Sequence, residues 1–245
     1  MRHPSIPVSV FDSSAVIVII VALLGASLAR AQEPAGYLTP PPEIVNILDA
    51  SPSPRVIVSP TGDTVALLQR PAMRSIAELA QPMLRLAGYR VNPRTNGPHT
   101  LEALSRITVT RIVDGTEHVF DAPRETSLGD VEYSPDGSRL LFTLTRYNGI
   151  EAWLMEVATG QVRPLSDTSV NAAWGNPCDW LDRNATVICR FKASARGAPP
   201  APPEVPSGPN VQSHNGGAAP IRTYQDLLGN AHDEALFEYY FTTQI

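Results

Sequence analysis

The feature that most constrains this chain is a β-hairpin written twice. Residues 56–68 read VIVSPTGDTVALL and residues 131–144 read VEYSPDGSRLLFTL. Alternating apolar residues enter each turn, Pro60 or Pro135 fixes φ at its first central position, Thr61-Gly62 or Asp136-Gly137 closes it, and an apolar run leaves it. A third, degenerate copy runs from Cys178 to Cys189, with Asn184 in the glycine place because asparagine tolerates positive φ. Gly137 and Asn184 are 47 residues apart, the length of one four-stranded propeller blade, whereas Gly62 and Gly137 are 75 apart. The first unit therefore carries an insertion.

The other strands of each blade follow from the same signals. Ile107–Val113, the turn Asp114-Gly115 and Glu117–Phe120 complete the first unit, and Ala152–Val157, the turn Ala158-Thr159-Gly160 and Gln161–Leu165 complete the second. Within the insertion, Ser75 and Glu78 form a capping box ahead of the apolar positions Ile76, Leu79, Ala80, Met83 and Leu84, and Pro82 keeps that helix short. Asn92 to Pro98 is a run of turn formers and reads as a loop. Residues 195–220 hold seven of the chain's 24 prolines and read as a long surface loop. Beyond it, Thr223 and Asp226 suggest an N-cap, Tyr224–Leu228 a helical turn, and Glu238–Ile245 a new strand. The expected fold class is all-β, a partial β-propeller of about three blades plus the start of a fourth, with a short helical insertion in the first blade.

Residues 1–31 have the pattern of a cleaved export signal and are set apart from the fold. Ala15–Leu28 is uncharged and apolar, and Ala29-Arg30-Ala31 offers small residues for cleavage before Gln32. The competing reading is a retained membrane anchor, since Ser13–Ala29 sits at the lower length limit for spanning a bilayer. Without the leader the net charge moves from −5 to −6, which leaves no electrostatic footprint for nucleic acid. Export to a periplasmic or secreted location would bring Cys178 and Cys189 into an oxidising compartment. Both lie equally far from the turn pair Arg183-Asn184, so a two-residue hairpin sets them opposite each other. They read either as a cross-strand disulfide or as two small buried thiols.

The order of these features resembles the amino-terminal part of the prolyl oligopeptidase family of serine peptidases, in its glutamyl endopeptidase-like branch. The resemblance rests on Tyr37-Leu38-Thr39-Pro40-Pro41-Pro42, the Ser-Pro-x-Gly hairpins, the Ser75–Leu79 helix and the Asn92–Pro98 loop. Arg222–Leu228 and His232–Phe237 complete it. It implies a propeller that covers an α/β-hydrolase domain, with peptide substrates in the full-length form and that domain as the expected packing partner. The family's catalytic serine, aspartate and histidine belong to the hydrolase domain, so none is carried onto this chain. The nucleophile pattern Gly-x-Ser-x-Gly is also missing, the nearest string being Gly25-Ala26-Ser27-Leu28-Ala29.

These readings leave no catalytic, cofactor or metal residue in the expected set. Residues 32–245 are expected to form an incomplete propeller domain, a fragment inactive by itself, with membrane contact only if the leader stays uncleaved. The alternative is a stand-alone periplasmic propeller that serves as a binding or assembly module. Arg90, Arg94 and Arg106 flank the inserted loop and are candidate contacts for a substrate carboxylate, against the plainer reading of surface arginines. His232-Asp233-Glu234 reads as a solvated helix start rather than a metal or proton-transfer site. Trp153, Trp174 and Trp180 read as packing between blades. His99, His118 and His214 have no partner visible in the sequence, and Asn184-Ala185-Thr186 fits the glycosylation pattern only formally.

Overall fold

The computed structural model describes residues 38–99, 103–181, 186–205 and 226–245. The leader, the Arg183-Asn184 turn with its Asn184-Ala185-Thr186 pattern, His214, the proline-rich stretch beyond residue 205 and the Thr223 cap lie wholly or mainly outside the described residues. The chain divides into two units, residues 1–47 and 48–245. At the end of the first, α1 (Pro42–Leu48) starts after Pro41, with Glu43 in its first turn and no buried side chain. No helix of the described residues is long and apolar enough to cross a membrane.

The second unit starts with the first Ser-Pro-x-Gly hairpin, β1 (Arg55–Val58) and β2 (Thr64–Gln69). The chain then leaves the sheet for α2 (Ile76–Leu79), β3 (Leu84–Leu86), β4 (Tyr89–Asn92) and β5 (Gly97–Pro98). It returns as β6 (Arg106–Arg111) and β7 (Glu117–Asp121), giving an antiparallel sheet in the order β1-β2-β6-β7. The second sheet is an uninterrupted meander of β8 (Ser127–Tyr133), β9 (Arg139–Arg146), β10 (Gly149–Glu156) and β11 (Val162–Pro164). These are two complete four-stranded blades. The third unit pairs β12 (Cys178–Trp180) with β13 (Val187–Cys189); β14 (Phe191–Lys192) continues β13 after Arg190.

The end of the chain corrects the expected secondary structure. Glu238–Ile245 is not a strand: α3 (Ala231–Phe241) takes its first four residues, and only β15 (Thr243–Gln244) pairs as a strand. The helix starts at Asn230, whose side chain accepts from Asp233 N at 2.9 Å, and Asp233 and Glu234 lie in the first turn beside its positive end. Strand β15 pairs with β14 through Phe191↔Gln244 and Lys192↔Thr243. It thus holds the third-strand place that β6 and β10 hold in the other sheets. Two long excursions, residues 70–105 and 193–242, therefore leave from the same point of alternate units, between second and third strands.

The inserted segment is also richer than a helix and a loop. Its helix ends at Leu79, with Ile76 and Leu79 largely exposed, so the expected apolar stripe is not a buried face. The three-stranded sheet β3-β4-β5 follows. Ala87 and Gly88 both take positive φ between the paired Leu86 and Tyr89, the two-residue turn that matches strand twist.

Packing between the sheets explains the apolar runs. On β9, Leu140, Phe142 and Leu144 face the first sheet's Ala66, Leu68, Ile107 and Val109, while Leu141 joins Ile150, Ala152, Val170 and the two cysteines. A strand buried on both sides carries apolar residues continuously rather than alternately. Trp153 sits near Phe120 and Phe142 in the first of these layers, and Trp180 packs against the second.

The two repeated turns are held alike. Ser134 Oγ donates to Asp136 Oδ1 at 2.6 Å, as do Ser138 N at 3.0 Å and Ser138 Oγ at 2.8 Å, while Gly137 takes φ +74°. In the first hairpin Ser59 Oγ and Thr61 Oγ1 donate to Asp63 Oδ1 at 2.7 and 2.5 Å. Hydrogen bonds to the ionised carboxylate, first from the Ser134 hydroxyl and then from Ser138, bring the Asp136 pKa down to about 2. Its contribution to stability is present above the ordinary carboxylate pKa near ~4 and fades as pH falls through about 2. Denaturant unfolding should show wild type more stable than Asp136→Ala at pH 6, with the gap narrowed at pH 2.5. An equal gap at both pH values would contradict this role.

Candidate functional site

The two excursions meet at the end of the sheets where second strands turn into third strands. A buried amide pair makes the junction. Asn96, held at φ +61° in the inserted loop, is fully buried and donates through Nδ2 to Asn171 Oδ1 at 2.5 Å and to the carbonyl of Tyr240 at 3.0 Å. Asn171 Nδ2 reaches the carbonyls of Tyr240 and Thr242 at 2.9 and 3.0 Å. Arg196 Nη1 bonds Asn96 Oδ1 and the Tyr239 carbonyl, and its guanidinium lies 4.3 Å over the Tyr239 ring. Trp174 donates Nε1 to the Phe241 carbonyl at 3.1 Å and packs edge-on against Tyr89, Phe237 and Phe241. The carbonyls at the end of α3 thus find donors from three separate segments, and the Arg196 charge lies at the negative end of the helix.

Beside this junction a cleft of about 460 Å³ opens between the insertion and the second sheet. Glu78, Gln81, His99, Thr145, Arg146 and Tyr147 are among its lining residues. Its size falls in the range of small-molecule and peptide side-chain sites. Arg146 Nε is bound to Glu151 at 2.6 Å.

The three candidate arginines do not share a partner. Arg106 Nε bonds Asp121 Oδ1 at 2.6 Å across β6 and β7, and that bond, more than the charge alone, raises its pKa. Arg90 on β4 lies 3.9 Å from Asp226 Oδ2. Arg94 is different. Its guanidinium lies 4.7 Å over the Tyr147 ring and its Nη1 bonds Gln81 Oε1 at 3.3 Å, both residues being walls of the cleft. Among the described residues it has no carboxylate partner. The sequence placed Arg94 in the loop, but nothing local showed that Tyr147, 53 positions later, would hold it at the rim.

The histidines are tied to main chain: His99 Nε2 lies 3.0 Å from the Gln81 carbonyl and His118 Nε2 3.2 Å from that of Ala158. His232 lies in the first turn of α3. Among the described residues no three His, Cys, Asp or Glu side chains stand close enough to hold a metal ion. In the third unit, Cys178 and Cys189 are direct cross-strand partners with Cα atoms 4.2 Å apart, joined as a disulfide. Arg190 N donates to the Pro177 carbonyl and Leu181 N to that of Thr186, so the cysteines occupy the closer, non-hydrogen-bonded register.

Comparison with known proteins bears on this arrangement. The probable chloroplastic glutamyl endopeptidase of Oryza sativa subsp. japonica is 33% identical over 225 residues, covering 86% of this chain and 24% of that protein. The probable chloroplastic glutamyl endopeptidase of Arabidopsis thaliana is 34% identical over 224 residues, covering 86% and 23%. By sequence, the chain is similar to a part of these glutamyl endopeptidases. That is the branch to which the hairpins, the capped insertion and the Asn92–Pro98 loop pointed. The chain spans about a quarter of the length of these endopeptidases. No family model matches it. Among solved structures it is similar to the acylaminoacyl peptidase of Pyrococcus horikoshii, at 12% identity and TM-score 0.34 over 60% of this chain and 18% of that one. TolB from Acinetobacter baumannii is similar at 20% identity and TM-score 0.22, over 63% and 43%.

The disulfide closes a loop of 11 residues, and a cross-link of that span restricts the unfolded chain by about 2–3 kcal/mol. The mass of the unreduced protein should fall 2 Da below that of the reduced one, a difference set by two hydrogens. Reduction should lower its melting temperature. Two titratable thiols in the unreduced, folded protein would refute the pairing.

Proposed function

We propose that this chain is the amino-terminal propeller part of an exported serine-type peptidase, whose full-length form cleaves peptides with residues of a separate α/β-hydrolase domain. The observation that carries this reading is the 33–34% identity to glutamyl endopeptidases across 86% of the chain. The propeller would act as the cover of that domain, restricting entry to peptides and short segments. Acyl transfer through a Ser-His-Asp triad is the chemistry such a partner domain supplies.

Export rests on the apolar leader and the paired cysteines, which belong together in an oxidising compartment. The relatives carry a chloroplastic designation, another destination outside the cytosol. Peptide carboxylates are the substrate groups that Arg94 suits, since it sits at the rim of the cleft with its charge uncompensated by any described acid. Arg90 and Arg106 already have acidic neighbours.

The purified chain should release no product from fluorogenic peptides and should not be labelled by a fluorophosphonate. Turnover that persists through purification and is blocked by that reagent would overturn the assignment. Binding should be measurable even so: a glutamate-bearing peptide should bind more tightly than its glutamine counterpart. Arg94→Ala should remove that preference, and an unchanged preference would remove Arg94 from the account.

A further inference from the structure

The cleft between the insertion and the second sheet offers more than a cation at its rim. Asn92 and Thr95 both line it, and at 5% and 4% exposure they are the most buried of its lining residues. The local cause is the turn of the inserted loop. Asn96 N donates to the Asn92 carbonyl at 2.9 Å, which closes the loop with Asn92 and Thr95 covered and Arg94, between them, exposed. The Thr95 hydroxyl is buried without a hydrogen-bond partner among the described residues. Asn92 uses Oδ1 to accept from the Arg94 N–H at 3.0 Å, and no acceptor for its Nδ2 stands among the described residues.

Buried polar side chains are nearly always paired, so two open hydrogen-bonding groups on one cleft wall call for a ligand that supplies their partners. The charges around them say which kind. Glu78 and Glu125 line the cleft, and their partners Arg74 and Arg124 do not. Arg146, the cation that does line it, is already bound to Glu151. The interior is therefore unsuited to a carboxylate, which belongs at the rim with Arg94, and suited to a neutral group. A hydroxyl both donates and accepts, and an amide nitrogen donates. A peptide unit, with one carbonyl and one N–H, matches that pair. A cleft of about 460 Å³ also takes a ligand of several residues rather than a small ion.

We propose that Thr95, with Asn92 beside it, binds a main-chain peptide unit, so that the ligand whose carboxylate meets Arg94 is an acidic residue inside a peptide and not a free carboxylate ion. The acidic part of this rests on the reading of Arg94 given above, and the peptide part rests on Thr95 and Asn92 alone. One short loop then reads both features, the side chain through Arg94 and the main chain through the residues on either side of it.

The test is calorimetric binding of three probes to the whole chain: acetyl-Ala-Glu-Ala-amide, acetyl-Ala-Gln-Ala-amide and glutarate, which has the carboxylate but no peptide unit. The wild type should bind the acidic peptide about tenfold or more tightly than glutarate. Thr95→Val, which removes the hydroxyl and keeps the branched shape, should weaken both peptides about fivefold, the worth of one neutral hydrogen bond. Thr95→Ser should keep the wild-type affinity. Since the hydroxyl has no partner in the fold, Thr95→Val without ligand should melt no lower than the wild type, whereas loss of a structural hydroxyl would lower the melting temperature. The outcomes separate the two readings. If the wild type shows no preference for glutamate but Thr95→Val weakens both peptides, the peptide contact stands and the Arg94 reading fails. If the preference is present and Thr95→Val binds both peptides as the wild type does, the Arg94 reading stands and the peptide contact fails. Glutarate binding as tight as that of the peptide, no peptide binding by the wild type, or a lowered melting temperature in Thr95→Val also overturns the proposal.

Discussion

A helix that ends inside a protein leaves carbonyl groups that water cannot reach, and the satisfaction of those groups at the end of α3 organises one whole end of this chain. The carbonyl of Tyr239 is taken by Arg196, that of Tyr240 by Asn96 and Asn171, that of Phe241 by Trp174, and that of Thr242 by Asn171. The donors come from the first insertion, from the approach to the third unit and from the second excursion. Each net hydrogen bond is worth about 1 kcal/mol, but leaving a buried partner unsatisfied costs more. The junction is therefore all-or-none. It fixes two excursions from alternate blades against each other, through the same loop that carries Arg94.

The blades themselves depend on less cooperative interactions. Each Ser-Pro-x-Gly turn contains its own stabilisation, a carboxylate or hydroxyl network spanning five residues, and the sheets then pack through Leu140, Phe142 and Leu144 on one side of β9 and Leu141 on the other. This division has a functional sense. The propeller layers provide a frame, while the excursions, anchored by the polar junction, its aromatic rim and the apolar cluster of Leu86, Val91 and Tyr240, carry the cleft and Arg94.

The same division explains what could be read from the sequence. The hairpins were legible because their signals are local: Pro135, Asp136 and Gly137 act on one turn. The facing of Cys178 and Cys189 was legible because antiparallel register is arithmetic once the turn is placed. The α3 helix was not. Tyr239, Tyr240 and Phe241 favour a strand by propensity, and its apolar residues surround the axis without forming a stripe. Distant groups, Asn96, Asn171 and Arg196, make that segment helical at its end. The β3-β4 hairpin escaped notice because Ala87-Gly88 is a weak turn signal. In the site, Arg94 could be named, but its distinction from Arg90 and Arg106 lay in Tyr147 and Asp121, Asp226, which only the fold brings near.

The central claim is that the two excursions are locked into one body through the buried Asn96–Asn171 pair. Amide hydrogen exchange tests it most directly, comparing wild type with Asn171→Leu. The account predicts that amides of α3 and of residues 92–99 are protected together in the wild type and that both lose protection by a similar factor in the variant, while β9 and β10 stay protected. Unprotected α3 amides in the wild type, or loss confined to one of the two segments, would contradict it.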